Sequence, residues 1–140
     1  MSLGVKNKRK KIFRAPGFTL GESHQEGGVF ELALLVLKDD EGIAERFESA
    51  FSEAVVLLEN APGYRSHCLT KCLEAARHYA LVVEWESLSH HIEGFRESAV
   101  YPQWKALLGL YIQPGTWVRH FRPVVREEAR EGGCFDGDYI

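Results

Sequence analysis

The chain has 140 residues, 45% of them hydrophobic and 11% aromatic, with a net charge of −3 and three cysteines. This is one domain's length, with enough apolar side chain for a packed core. No apolar run approaches the roughly 18 residues of a membrane span and no apolar leader opens the sequence, which points to a soluble cytoplasmic protein without a membrane partner.

The charge is unevenly spread. Met1 to Arg14 carries Lys6, Lys8, Arg9, Lys10, Lys11 and Arg14 and no acid, which leaves −9 on the remainder. A basic run with no nucleic-acid-binding fold attached reads as a solvated, disordered arm rather than a nucleic-acid contact. Residues 1–28 are therefore expected to be an N-terminal extension ending in Gly27-Gly28, and residues 125–140 an acidic, Gly-containing C-terminal extension. The folded domain is expected over residues 29–124.

Within it, Val29 to Leu37 is a nearly continuous run of β-formers stopped by Lys38-Asp39-Asp40, and predicts a strand. Ile43, Phe47, Ala50, Phe51, Ala54 and Leu58 recur at helical spacing, so a helix follows until Asn60-Ala61-Pro62-Gly63 ends it. Tyr64 to Cys72 and His78 to Trp85 read as strands joined by a hairpin connection. Ser87 is a natural N-cap for a second helix, and Pro102 suits the first turn of another segment whose Trp104, Leu107, Leu108 and Tyr111 share a face. After Gln113-Pro114-Gly115, Thr116 to Val124 is the last strand, with Trp117, Arg119 and Phe121 alternating against Val118, His120 and Arg122. Cys68 and Cys72, on one predicted strand, would lie roughly 13 Å apart, too far to bridge, so reduced thiols are the default.

The βαββαβ order is the α+β, ferredoxin-like arrangement: a four-stranded antiparallel sheet with both helices on one face. Strand one is apolar at odd and even positions alike, whereas a sheet with one wet face should alternate. A second copy of the sheet is the economical cover, so a homodimer enclosing a barrel-like interior is expected.

These segments resemble the antibiotic biosynthesis monooxygenase family of dimeric α+β barrels. The resemblance covers about residues 29–124. It rests on Ala61-Pro62-Gly63-Tyr64-Arg65-Ser66 opening strand two, Trp85-Glu86-Ser87 ending strand three, His91 with Phe95-Arg96-Glu97-Ser98 on the next helix, and Val118-Arg119-His120-Phe121 near the end of strand four. It implies one of two activities: oxygenation of aromatic phenols by O2 without a metal, flavin or other cofactor, or oxidative opening of haem. The haem-degrading branch uses an Asn on strand one, a Trp on helix two and a ligating His further along. Here those regions carry Glu31 and Leu32, then Phe95, then Trp104 and Lys105, so that triad is absent.

The candidate catalytic residues are His91 and Arg96. His91 falls on the inward stripe Leu88, Ile92, Phe95 and Ala99, where it serves either as a bonded core residue or as a general base that deprotonates a phenol or enol. Arg96 flanks that stripe, placed to stabilise the resulting anion or to pair with Glu93 or Glu97 at the surface. Trp85, Phe95, Tyr101, Trp104 and, more weakly, His120 are candidate substrate-binding residues, with core packing as the alternative for the aromatics. His67, Cys68, Cys72, His78, His90 and His91 form no compact ligand set, and no metal is expected. The expected function is a cofactor-independent monooxygenase acting with O2 on a small aromatic or enolic molecule held between sheet and helices. The rival is a non-catalytic dimeric protein, binding or stress-related, that sequesters a small molecule in the same cavity.

Overall fold

The computed structural model describes residues 28–125 and 127. The two expected extensions, apart from Gly28, Val125 and Glu127, lie outside the described residues. In chain order the elements are β1 (Val29–Val36), α1 (Ile43–Glu59), β2 (Tyr64–Lys71), β3 (His78–Trp85), α2 (Leu88–His91), a π-helical turn (Ile92–Arg96), α3 (Tyr101–Leu108) and β4 (Trp117–Phe121). The four strands form one sheet in the order β2-β3-β1-β4, with every neighbouring pair antiparallel. This is the expected ferredoxin-like topology.

Local chemistry accounts for the boundaries. Gly42 precedes α1 with φ +71, and α1 buries Ile43, Phe47, Phe51, Ala54 and Leu58 on the stripe that the spacing predicted. Ser87 caps α2 by accepting from the His90 N–H at 3.3 Å, and Pro102 sits in the first turn of α3. The second helical region is divided into α2 and α3, with Pro102 opening the second segment as its position suggests, and the unexpected feature is the π-helical turn that follows α2. Ala99, expected on the inward stripe, is exposed because the chain leaves helical geometry after Arg96. Cys72 falls just past the end of β2, and it and Cys68 are free thiols.

The core lies between one sheet face and the helices, where Leu37, Phe47, Leu58, Val83 and Trp85 are fully buried. The other face carries Phe30, Leu32, Leu34 and Val36 of β1 beside Trp117 and Phe121 of β4, and Leu34, Trp117 and Phe121 are 44%, 37% and 48% exposed. Among the described residues, no helix is long and apolar enough to cross a membrane.

The turn into β2 packs tightly against α2. Gly63 has φ +84, and a Cβ there would lie 2.2 Å from His90 Cγ, so a side chain is opposed by both backbone and contact. Gly63→Ala is expected to lower unfolding stability by more than about 1 kcal/mol, measured by urea denaturation; an unchanged midpoint would show that the turn tolerates a side chain.

Candidate active site

Strand alternation puts Glu31, Ala33 and Leu35 of β1 on the helix-covered face, where all three are buried. The antiparallel register sets His120 of β4 opposite Glu31 on one side and Val83 of β3 opposite it on the other, so the His120 side chain shares Glu31's face. Trp85, closing β3, lies on that face two residues beyond Val83. The Ser87 cap then starts α2 at once, which delivers His91 beneath the sheet, and the π-helical turn carries Phe95 inward and Arg96 to the rim.

These elements converge on a buried polar chain. Trp85 Nε1 donates to Glu31 Oε1 at 3.0 Å, and His91 Nε2 lies 3.3 Å from the same oxygen. His91 Nδ1 shares a 2.7 Å hydrogen bond with His120 Nε2. Trp85 is 0% exposed, His91 3% and Glu31 8%, and the indole stacks on the His91 ring at a centroid distance of 5.2 Å. With Glu31 ionised, the proton of a neutral His91 is favoured on Nε2 facing the carboxylate. Nδ1 then accepts from the Nε2–H of His120.

Burial dominates the electrostatics. It pushes the Glu31 carboxyl above its ordinary range, against the opposing effects of the Trp85 hydrogen bond and the Arg96 charge. It lowers His91 to about 3, helped by His120 and Arg96, and lowers His120, again with Arg96 contributing. Both imidazoles are therefore neutral at neutral pH, and Arg96 is the charged group that bears on all three.

A cavity of about 510 Å³ opens beside this chain, within the range of small-molecule sites. Glu31, His91 and Arg96 reach it, and Phe95, Tyr101 and Trp104 supply aromatic wall. Phe95 meets Tyr101 and Trp104 edge-to-face at 5.6 and 5.4 Å. Of the seven residues singled out in the sequence, five line the cavity. Trp85 and His120 do not; they hold Glu31 and His91 from behind. Arg96 makes no ion pair with Glu93 or Glu97 among the described residues. Glu31 was missed as a site residue, although an acid in phase with Ala33, Leu35 and Leu37 on an otherwise apolar strand was a legible anomaly. Among the described residues no three His, Cys, Asp or Glu side chains are grouped to hold a metal ion; Glu31, His91 and His120 spend their facing atoms on one another.

The depressed imidazoles couple this site to stability. Between pH about 3 and about 6.5 the unfolded chain binds protons that folded His91 refuses, so stability present above the unfolded value is lost as pH falls through that window. His120 acts in the same sense, whereas Glu31, raised, acts in the opposite sense just above its ordinary range. The melting temperature is expected to fall between pH 7 and pH 4.5 and to fall less in His91→Gln; equal slopes in the two proteins would contradict a neutral, buried His91.

Comparison with known proteins places the chain in a family. The chain is 45% identical over 96 residues to YczJ, an uncharacterized protein of Bacillus subtilis (strain 168), which covers 69% of this chain and 99% of that one. A proposed antibiotic biosynthesis monooxygenase from Bordetella bronchiseptica superposes with a TM-score of 0.67 at 30% identity, covering 71% of this chain and 100% of the other. SnoaB, a cofactor-independent oxygenase from Streptomyces nogalater, shares the fold at 15% identity with a TM-score of 0.60, over 75% of this chain and 99% of its own. The family model for antibiotic biosynthesis monooxygenases matches residues 32–107, more than half of the sequence. The chain belongs to the antibiotic biosynthesis monooxygenase family.

Proposed function

We propose that the protein is a cofactor-independent monooxygenase that binds a planar, ionisable aromatic or enolic molecule in the cavity between sheet and helices and oxygenates it with O2. The observation that carries this reading is a cation, Arg96, at the rim of an aromatic-walled cavity whose floor is formed by the buried Glu31 and His91, backed by His120. A molecule with an acidic C–H or O–H finds there a proton-accepting cluster, a positive charge for the anion, and flat apolar walls that hold the ring. The anion then reduces O2 directly. For an activated ring CH2, one oxygen atom enters the product as a carbonyl and the other leaves as water. The same reading is supported by family membership and by likeness to SnoaB.

1,8-Dihydroxyanthrone, whose ring CH2 is acidified by a conjugated carbonyl, is a suitable probe. Oxygen uptake matched by anthraquinone formation is expected with the wild type. Because Arg96 is exposed at the rim, Arg96→Gln should leave the fold intact while lowering kcat by about 100-fold, the scale set by losing one fixed anion-stabilising group. Tight binding of the anthrone with no oxygen uptake would instead favour a non-catalytic binding protein.

We also infer that a second copy of the chain covers the open sheet face, since the helices cover only the other and Leu34, Trp117 and Phe121 would otherwise stay in water. Light scattering at micromolar concentration should give a dimer mass, and Leu34→Glu should reduce it to that of a monomer. A monomeric wild type would refute the covered face.

A further inference from the structure

We propose that Glu31 Oε2 is the atom that takes the substrate's proton, and that His91 positions this carboxylate instead of accepting the proton itself. The proposal rests on the oxygenase reading above and names its base. Both ring nitrogens of His91 are already engaged, Nδ1 in the 2.7 Å bond to His120 and Nε2 at 3.3 Å from Glu31 Oε1. For His91 to receive a proton from a molecule in the cavity, one of these contacts must break and a charged ring must form in a site 3% exposed, next to Arg96.

Glu31 is differently placed. Its Oε1 takes both the Trp85 N–H and the approach of His91, while Oε2 has no hydrogen-bond partner among the described residues. Oε2 is not sealed away either, since Arg122 Nε is the buried side-chain atom that lacks a partner among the described residues. Because Glu31 lines the cavity, this second oxygen is the carboxylate lone pair left to meet a bound molecule. The charges agree with this assignment. Net charge is conserved in either transfer, but a proton moving from substrate to Glu31 exchanges one anion for another near Arg96, whereas a proton moving to His91 adds two buried charges, the substrate anion and a second cation beside Arg96.

In the step itself, the substrate C–H or O–H bond breaks, an O–H bond forms at Oε2, and the electron pair remains on the substrate as an enolate or phenolate facing Arg96. That pair is what O2 later withdraws. Burial raises the affinity of Glu31 for a proton, which brings a carboxylate closer to the strength a base needs. Burial, the Trp85 hydrogen bond and the Arg96 charge set that affinity; His91 contacts the carboxylate and His120 contacts His91. The other polar residues on the cavity wall are Tyr101, Lys105, Gln113, Thr116 and Arg119, and α1 contributes only apolar residues, Phe51 and Leu58.

The test mixes the full-length protein with 1,8-dihydroxyanthrone in the absence of O2, following the anthrone anion by absorbance and the protein by infrared difference spectroscopy. In the wild type, anion formation should be accompanied by the C=O stretch of a newly protonated carboxylic acid. Glu31→Gln, which keeps an acceptor oxygen for Trp85, should slow anion formation by about 100-fold and abolish the band. Glu31→Asp should restore part of the band, and His91→Gln should slow the step while keeping it. Anion formation by Glu31→Gln at the wild-type rate, or an imidazolium signal in place of the carboxylic acid band, would overturn the assignment while leaving the oxygenase reading intact. A wild type that fails to ionise the anthrone would remove that reading, and the assignment with it.

Discussion

The buried carboxylate of Glu31 organises the helix-covered side of the sheet. Glu31 sits on an apolar strand, and an ionised group in that position is tolerated only when neighbouring dipoles replace the water it has lost. The Trp85 N–H and the His91 ring do so, and each is fixed in return. Held by its nitrogen, the Trp85 indole lies flat against His91 and meets Tyr64 edge-on at 6.4 Å, which ties the start of β2 to the end of β3. His91, held between Glu31 and His120, ties α2 to β1 and β4. The same contacts that satisfy the carboxylate thus shape one end of the core and the floor of the cavity.

The π-helical turn after α2 completes the arrangement. A π turn takes more residues per turn than an α-helix, and such insertions often occur at functional sites. Here His91 and Phe95 both face inward, with ring centroids 6.5 Å apart, and Arg96 follows at the rim. The chain then leaves the helix and re-enters it at Tyr101, so that Tyr101 and Trp104 close the aromatic wall from α3. The neutral histidines and the nearby guanidinium follow from this packing, because burial excludes a second positive charge close to Arg96.

Much of the fold was legible because its signals are local. Apolar periodicity set the limits of α1, alternation set β3, and Ser87 and Pro102 marked the starts of α2 and α3. The π-helical turn after α2 was not legible, because His91, Ile92 and Phe95 fit a regular helix as well as a widened turn, and only the packing of Ala99 outside the core distinguishes the two. At the site, His91 and Arg96 were recognisable from helical phase and residue type. The bond between His91 and His120 spans 29 residues, a pairing that only the β1–β4 register brings about. Glu31 is the one acid on an otherwise apolar strand, and its phase with Ala33 and Leu35 marks the helix-covered face.

The fold is shared by proteins whose chemistry need not be the same, so the reading depends on this chain's own polar cluster. The most direct measurement of that cluster is nitrogen NMR of protein labelled with 15N-histidine at neutral pH. A neutral His91 protonated on Nε2, with its Nδ1 accepting from His120, is the expected result. A doubly protonated His91, or a neutral ring carrying its proton on Nδ1, would contradict the Glu31–His91–His120 chain on which the site is built.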